Sequence, residues 1–202
     1  MIATDGHRLS FADVAAVAGK DMDMLIPLLA VRVLRRFCDD AGDDLAFTSV
    51  GPDVYFRSGS TVFSCKQTDA VFPPYAQIVP AIWDHEIRVN RAALVAALRA
   101  TGVASSEAGL GSGVHLDVCD GKIALSASSP TAGDARDTVP VEYFGKPIAT
   151  YFEPKYVLDV LTSLDEEDVS LRLSGELDPI YIVPASARPY SAIVMPMRPP
   201  PR

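Results

Sequence analysis

The sequence is poor in most of the features that announce a chemistry. Its three cysteines, Cys38, Cys65 and Cys119, lie far apart and are odd in number. No CxxC pair occurs, so neither a zinc site nor a disulfide framework is expected, and reduced thiols of a cytoplasmic protein are the plain reading. No apolar run approaches ~18 residues, which leaves no candidate for a membrane-spanning helix. No basic segment followed by an apolar stretch opens the chain, so no signal peptide is visible. Positive charge is in deficit: 18 Lys and Arg stand against 26 Asp and Glu, a formal net charge of −8. Proteins that hold nucleic acid by bulk charge are usually basic, so such a role here requires a local positive face. Nucleophile elbows of the GxSxG type are missing. The stretch "GLGSG" (residues 109–113) mimics a phosphate loop but lacks the GK[ST] ending and a following helix, so it reads as a hairpin turn. His85 and His115 show no metal-ligand spacing and are expected at the surface. Neither a metal nor a cofactor is expected. What remains is ordinary: 202 residues, 49% apolar and 22% charged, enough for one large domain or two small ones.

What the chain does have is a repeat. Each copy reads as a short extended segment, a helix, and two or three β-like segments. The first runs "MLIP", "PLLAVRVLRRF", "DLAFTSV", "DVYFRSG", "TVFSCKQTD"; the second "EIRVN", "RAALVAALRATG", "GVHLDVCD", "GKIALSASS", "ARDTVPVEYF"; the third "IATYFEP", "KYVLDVLTSL", "EDVSLRLSG", "PIYIVP", "YSAIVMPM". Pro27, Asn90 and Pro154 mark the turn from strand to helix, at intervals of 63 and 64 residues. Proline suits a first helical turn because it has no N–H to satisfy, and asparagine suits an N-cap. Val114, Leu116 and Val118 alternate with His115 and Asp117, the period of a strand with one buried face. Ala30, Val33, Leu34 and Phe37 form an apolar stripe at helical spacing, opposite Arg32, Arg35 and Arg36; Val157, Val160, Leu161 and Leu164 do the same opposite Lys155, Asp159 and Thr162. The expected class is therefore α+β, repeated β-α-β-β-β units with helices on one face of antiparallel sheets. Three units do not pair evenly. The Pro-rich stretch "VFPPYAQIVP" (residues 71–80) reads as a linker, after which two units make a complete domain; the unit before it has no partner in the chain.

The opening "MIATDGHRLS" places Asp5, His7 and Arg8 within four residues. On a strand Asp5 and His7 share a face, which suits an acid–base pair. A catalytic histidine also needs a nucleophile within reach, and none is evident, so scaffolding is the stronger reading. A hydrolase using Asp5, His7 and a further nucleophile is the surviving enzymatic alternative.

Four segments resemble the bacterial DNA polymerase III β subunit, the sliding clamp: "ATDGHRL" (residues 3–9), "FPPYAQIVP" (72–80), "YVLDVLTSL" (156–164) and "VMPMR" (194–198). They occur in the family's order and at about its spacing. The resemblance implies the DNA-clamp fold, with residues 1–76 as the second half of a middle domain, 77–198 as a complete C-terminal domain and 199–202 as a disordered tail. It implies a non-enzymatic processivity factor. In that family the first and last motifs line a pocket that takes short, partly hydrophobic peptides from the polymerase III catalytic subunit, the clamp loader and repair polymerases. Matched positions carry Thr4, Gly6, His7, Arg8, Leu9, Pro73, Ile78, Tyr156, Ile193, Val194, Met195, Pro196, Met197 and Arg198 into the pocket. Flexible, polarisable methionines beside aliphatic walls suit such ligands, and His7 and Arg8 offer donors. Glu153, Gln77 and Gly111 depart from common family residues and imply a more acidic, leaner rim.

A clamp that slides on duplex DNA touches phosphates without reading bases. Arg32, Arg35, Arg36, Arg99 and Lys155 are the residues implied to face DNA; a plain solvated helix face accounts for them equally. The family closes a ring from two longer protomers. The resemblance implies that this chain, which lacks the family's N-terminal domain, does not close that ring alone. It implies instead a homo-oligomer, pairing with a full-length clamp, or a regulatory module that binds peptides without encircling DNA. A truncated gene or a misplaced start is a further implication.

Overall fold

Residues 1–14, 22–39, 45–79, 82–106 and 113–199 are described by the structure, a computed structural model. In chain order the elements are β1 (Ile2–Thr4), β2 (Arg8–Ala12), α1 (Leu28–Asp39), β3 (Ala46–Val50), β4 (Asp53–Ser58), β5 (Thr61–Lys66), a 3-10 turn (Tyr75–Gln77), β6 (His85–Asn90), α2 (Arg91–Ser106), β7 (Val114–Cys119), β8 (Lys122–Ser129), β9 (Gly133–Pro140), β10 (Ile148–Phe152), α3 (Pro154–Thr162), β11 (Asp168–Leu173), β12 (Ile180–Pro184) and β13 (Tyr190–Val194). The α+β expectation holds: all strand pairs are antiparallel, and helices cover the sheets.

The chain divides into two compact units. One joins Met1–Ala15 with Gln77–Arg202; the other is Ala16–Ala76. The opening residues 1–15 group with the C-terminal part, because β2 pairs with β13.

The larger unit holds two repeats, and each lends its first strand to the other. β6, from the second repeat, pairs with β11 of the third, Val89 opposite Val169 and Ile87 opposite Leu171. β10, from the third repeat, pairs with β7 of the second, Thr150 opposite Leu116. The resulting sheets run β1-β2-β13-β12-β11-β6 and β10-β7-β8-β9. Helices α2 and α3 pack on each other and on the sheets, and one continuous core joins Leu94, Leu98, Leu116, Leu125, Val160, Leu161 and Ile182. Caps fix the helix starts. The Asn90 side-chain Oδ1 accepts from the Ala93 amide at 3.0 Å, and the Glu153 carboxylate accepts from the Lys155 amide ahead of a first turn begun by Pro154. Between β7 and β8 the turn is Asp120–Gly121, both with positive φ (50° and 72°), the hairpin geometry that an Asp-Gly pair adopts readily.

The smaller unit holds one repeat. Leu34 of α1 packs on Val54 and Phe56, with Met24, Ile26, Phe37, Phe63 and Cys65 around them. The sheet is β3-β4-β5 alone.

Several expectations shift. The segment "MLIP" forms no strand; the Leu25 carbonyl accepts one bond from the Thr68 amide. Val33, expected in the buried stripe of α1, is exposed, whereas Ala30 and Leu34 are buried as expected. β9 begins earlier than the sequence suggests and ends at Pro140. Beyond it Tyr143 is buried and bonded to the Lys146 carbonyl at 2.6 Å, while Phe144 stands in solvent. His85 and His115 are half-buried rather than surface residues, bonded to Tyr143 and Asp117 respectively. Residues 109–112 of the "GLGSG" stretch, including Gly111, and residues 200–202 of the tail lie outside the described residues. All three cysteines are free thiols, and burial pushes the Cys65 thiol up from its ordinary value. Among the described residues no helix is long and apolar enough to cross a membrane.

Candidate functional site

The two motif-bearing ends of the sequence meet in the larger unit. β2 lies beside β13 with Leu9 opposite Ile193 and Arg8 opposite Val194. The pairing extends past the strand, since the Met195 amide donates to the His7 carbonyl at 2.9 Å. Pro196 has no N–H to continue the ladder. Met197 is instead anchored from its amide to the Tyr151 carbonyl at the end of β10, at 2.6 Å.

Asp5 and His7 do not share a strand face. They sit in the turn between β1 and β2, which the sequence reading missed although Asp-Gly is a strong turn signal. Gly6 adopts φ +88°, a left-handed conformation that an L side chain resists. The Asp5 carboxylate accepts from the amides of His7 and Arg8, each at 3.1 Å, and from Arg8 Nε at 3.0 Å. The Thr4 hydroxyl donates to the Arg8 carbonyl at 2.7 Å and accepts from Gly6 N. Partial burial works to raise the Asp5 carboxyl, but the His7 amide and the Arg8 side chain and amide outweigh it and hold it below its ordinary value. Asp5 is thus turn scaffolding.

α3 supplies the facing wall. The Tyr156 ring stacks on the His7 imidazole, centroids 5.7 Å apart and planes 12° from parallel. The Arg8 guanidinium lies over the same ring at 4.8 Å, a cation–π contact, and its Nη1 bonds the Asp159 carboxylate at 2.5 Å. Burial disfavours the charge on Arg8, yet Asp159 and Asp5 together raise its pKa. Arg8 is therefore held by two carboxylates and a ring, which leaves it a wall rather than a free donor for a ligand. Asp159 was legible in the sequence only as an exposed residue one turn beyond Tyr156; its role comes from a chain separation of 151 positions.

Thr4, Gly6, His7, Arg8, Leu9, Tyr156 and the run from Ile193 to Met197 are thus joined by bonds, register and ring contacts. Leu9 and Ile193 are buried opposite each other on one face of the sheet, and Val194, the next residue, is buried in the core on the other face; Met195, Pro196 and Met197 are half-buried and Arg198 exposed. Ile78 is exposed just after the 3-10 turn that contains Gln77, and Pro73 is exposed in the other unit; neither takes part in the bonds and ring contacts above. Glu153, expected to make a rim more acidic, spends its carboxylate as the N-cap of α3. Arg32, Arg35 and Arg36 are exposed on α1, Arg99 on α2 and Lys155 on α3, and no ion pair among the described residues engages them.

Residues 76–198 match the family model of the DNA polymerase III beta subunit, C-terminal domain. The beta sliding clamp of Synechococcus elongatus is 27% identical over 206 residues, covering 97% of this chain and 54% of that protein. The beta sliding clamp of Escherichia coli K12 is 28% identical over 200 residues, covering 98% and 54%. Among solved structures, the DNA polymerase sliding clamp of Pseudomonas aeruginosa with ligand superposes with a TM-score of 0.91 at 27% identity, over 98% of this chain and 54% of that one. The sliding clamp of Bartonella birtlesii bound to griselimycin gives 0.90 at 29% identity, over 98% and 53%. The chain spans about half the length of the relatives it matches.

Proposed function

The chain belongs to the family of bacterial DNA polymerase III beta subunits, the sliding clamps, and on that premise we propose that it is a non-enzymatic docking module of DNA replication that holds short, partly hydrophobic peptides of its partners. The observation that carries the reading is the convergence of three segments far apart in the chain: the His7 ring stacks on Tyr156, and the Met195 amide, opening the Met195–Pro196–Met197 run, donates to the His7 carbonyl. Two half-buried methionines flanking a proline, beside a stacked aromatic pair, offer an adaptable apolar surface with few polar groups. Ile78 is assigned to the same surface by its place in the family motif. The partners are the catalytic subunit of the replicative polymerase, the clamp loader and repair polymerases, in the cytoplasm. Asp5, His7 and Arg8 serve this surface as scaffold and wall, with no catalytic step assigned to them.

Arg32, Arg35, Arg36, Arg99 and Lys155 are the proposed contacts to duplex DNA, by charge and without sequence preference. A second reading is a regulatory module that binds clamp-directed peptides without encircling DNA. It is favoured by the formal net charge of −8, which gives the chain no bulk attraction to DNA. Titration of a fluorescent clamp-binding peptide, with and without nicked circular DNA, tests both. Saturable binding that Met195→Ser weakens supports the docking surface; no saturation would sink it. Retention on circular DNA and release on linear DNA marks a tether, and indifference to DNA marks the regulatory module.

A further inference from the structure

Resting on the reading that the chain docks peptides, we propose that the docking surface continues along the six-stranded sheet into a cleft where Arg172 and Arg188 take the carboxylate of an acidic residue flanking the peptide's apolar anchors. Every residue involved belongs to the two-repeat unit. Residues opposite each other in register point to the same side of a sheet. One such row crosses five strands: Leu9, Ile193, Tyr181, Arg172 and Glu86. Their chain neighbours Leu171, Ile182 and Val194 point the other way, into the core. The row therefore starts with two aliphatic residues at the docking surface and ends in charge. Phe11 and Ser191 stand opposite each other in the next row on the same side, two positions from Leu9 and Ile193.

The cleft lies between these two rows. Its volume is about 330 Å³, at the small end of ligand sites and room for one or two side chains. Phe11, Tyr181 and Tyr190 wall it, and Arg172, Arg188 and Asp13 supply its charge. Both guanidiniums keep donors in hand. Arg172 Nε and Nη2 share a single oxygen, Glu86 Oε1, at 3.1 and 3.0 Å, and its Nη1 has no partner among the described residues. Arg188 Nη1 stands 3.6 Å from Glu166 Oε2, beyond hydrogen-bond length, and its guanidinium lies over the Tyr190 ring at 5.8 Å. Glu86 and Glu166 do not line the cleft, so its walls present two cations against the one carboxylate of Asp13. That excess runs against the chain's net charge of −8 and suits an acceptor with two oxygens, which a guanidinium fork binds best. Neighbouring strands are about 4.8 Å apart, so Arg172 lies roughly 10 Å across the sheet from Ile193. An extended peptide covers that in about three residues.

The test is a titration of fluorescent clamp-binding peptides with Glu-Glu about three residues beyond the apolar anchors. Two versions carry the pair at one end or the other, each against its Gln-Gln counterpart. One acidic version should bind the full chain about five-fold more tightly than its counterpart. That gain should shrink at high salt and in Arg172→Gln and Arg188→Gln, and grow in Asp13→Asn. The Gln-Gln versions should bind all four chains alike. Trp83, the single tryptophan, stacks on Tyr181 at 5.1 Å, so its unchanged fluorescence shows that the cleft wall survives each substitution. A gain absent from both acidic versions, or one that persists in both arginine variants, would overturn the proposal. Gln-Gln versions that still bind would then leave the docking surface standing. Failure of every version to bind sinks that surface, and the cleft's role with it.

Discussion

One unit of this molecule contains two β-α-β-β-β repeats and the other contains one, and the difference is felt at every level above the strand. The hairpins are equally regular: β3-β4-β5 keeps register residue for residue, as β7-β8-β9 does. The cores are not equal. The paired repeats bury a continuous set of leucines, isoleucines and valines, while the lone repeat buries Leu34, Val54 and Phe56. Local sequence is enough to build a hairpin and an amphipathic helix. Enclosing their apolar faces takes a second layer, which in this fold is another copy of the same motif.

Core truncation gives the sharpest way to break that comparison. Leu161 of α3 and Leu34 of α1 are seven residues beyond Pro154 and Pro27. Leu161→Ala is expected to destabilise the two-repeat unit by about 3 kcal/mol, and Leu34→Ala to destabilise the lone repeat by less, about 2 kcal/mol, because fewer neighbours enclose it. Denaturant unfolding followed by Trp83 fluorescence for the first, and by exchange of the amides in Asp53–Ser58 for the second, measures both. Equal losses would mean that the lone repeat is packed as tightly as the pair. Next in size, Tyr156→Ala removes the ring that holds His7 and Arg8, and should weaken a bound peptide about ten-fold, roughly 1.4 kcal/mol, with the lone repeat unaffected. Peptide titration reads the first, and hydrogen exchange in Thr61–Lys66 the second.

Smaller effects test the electrostatics of the same surface. Asp159→Asn breaks an ion pair that is partly open to water, so a loss of less than about 1 kcal/mol is expected, read as a small drop in melting temperature. The least effect should come from pH. Asp5 has its pKa lowered in the folded state, so its contribution to stability is complete above its ordinary value of 3.8 and is lost as pH falls through the lower folded value. Acidification should loosen the turn at Gly6 while leaving β3-β4-β5 unchanged. Amide chemical shifts of His7 and Arg8 across the acid range would show it, and a loosening that begins near neutrality would contradict the assignment.

How much of this was legible depended on how far apart in the chain each cause lies. Val114, Leu116 and Val118, and Val157, Val160 and Leu161, announced a strand and a helix because their burial follows a local period. Asn90 and Pro154 marked helix starts because capping is local too. Val33 misled because an apolar residue at helical spacing need not face the sheet that the helix covers, and "MLIP" forms no strand despite its extended composition. The four matched segments led to the family, and the register of Leu9 against Ile193 brings the first and the last of them side by side. Composition and periodicity could not have given it. The tie between Arg8 and Asp159 had no signal at all in either residue's neighbourhood.

The join between β2 and β13 also orders events during synthesis. Ser10 and Tyr190 stand 180 positions apart, so at 5–20 residues per second roughly 10–40 s pass between the emergence of one strand and of its neighbour. Throughout that interval the hairpin of β1 and β2 presents Leu9 and an unpaired edge to solvent. The proposed docking surface therefore comes into being only after translation has passed residue 197.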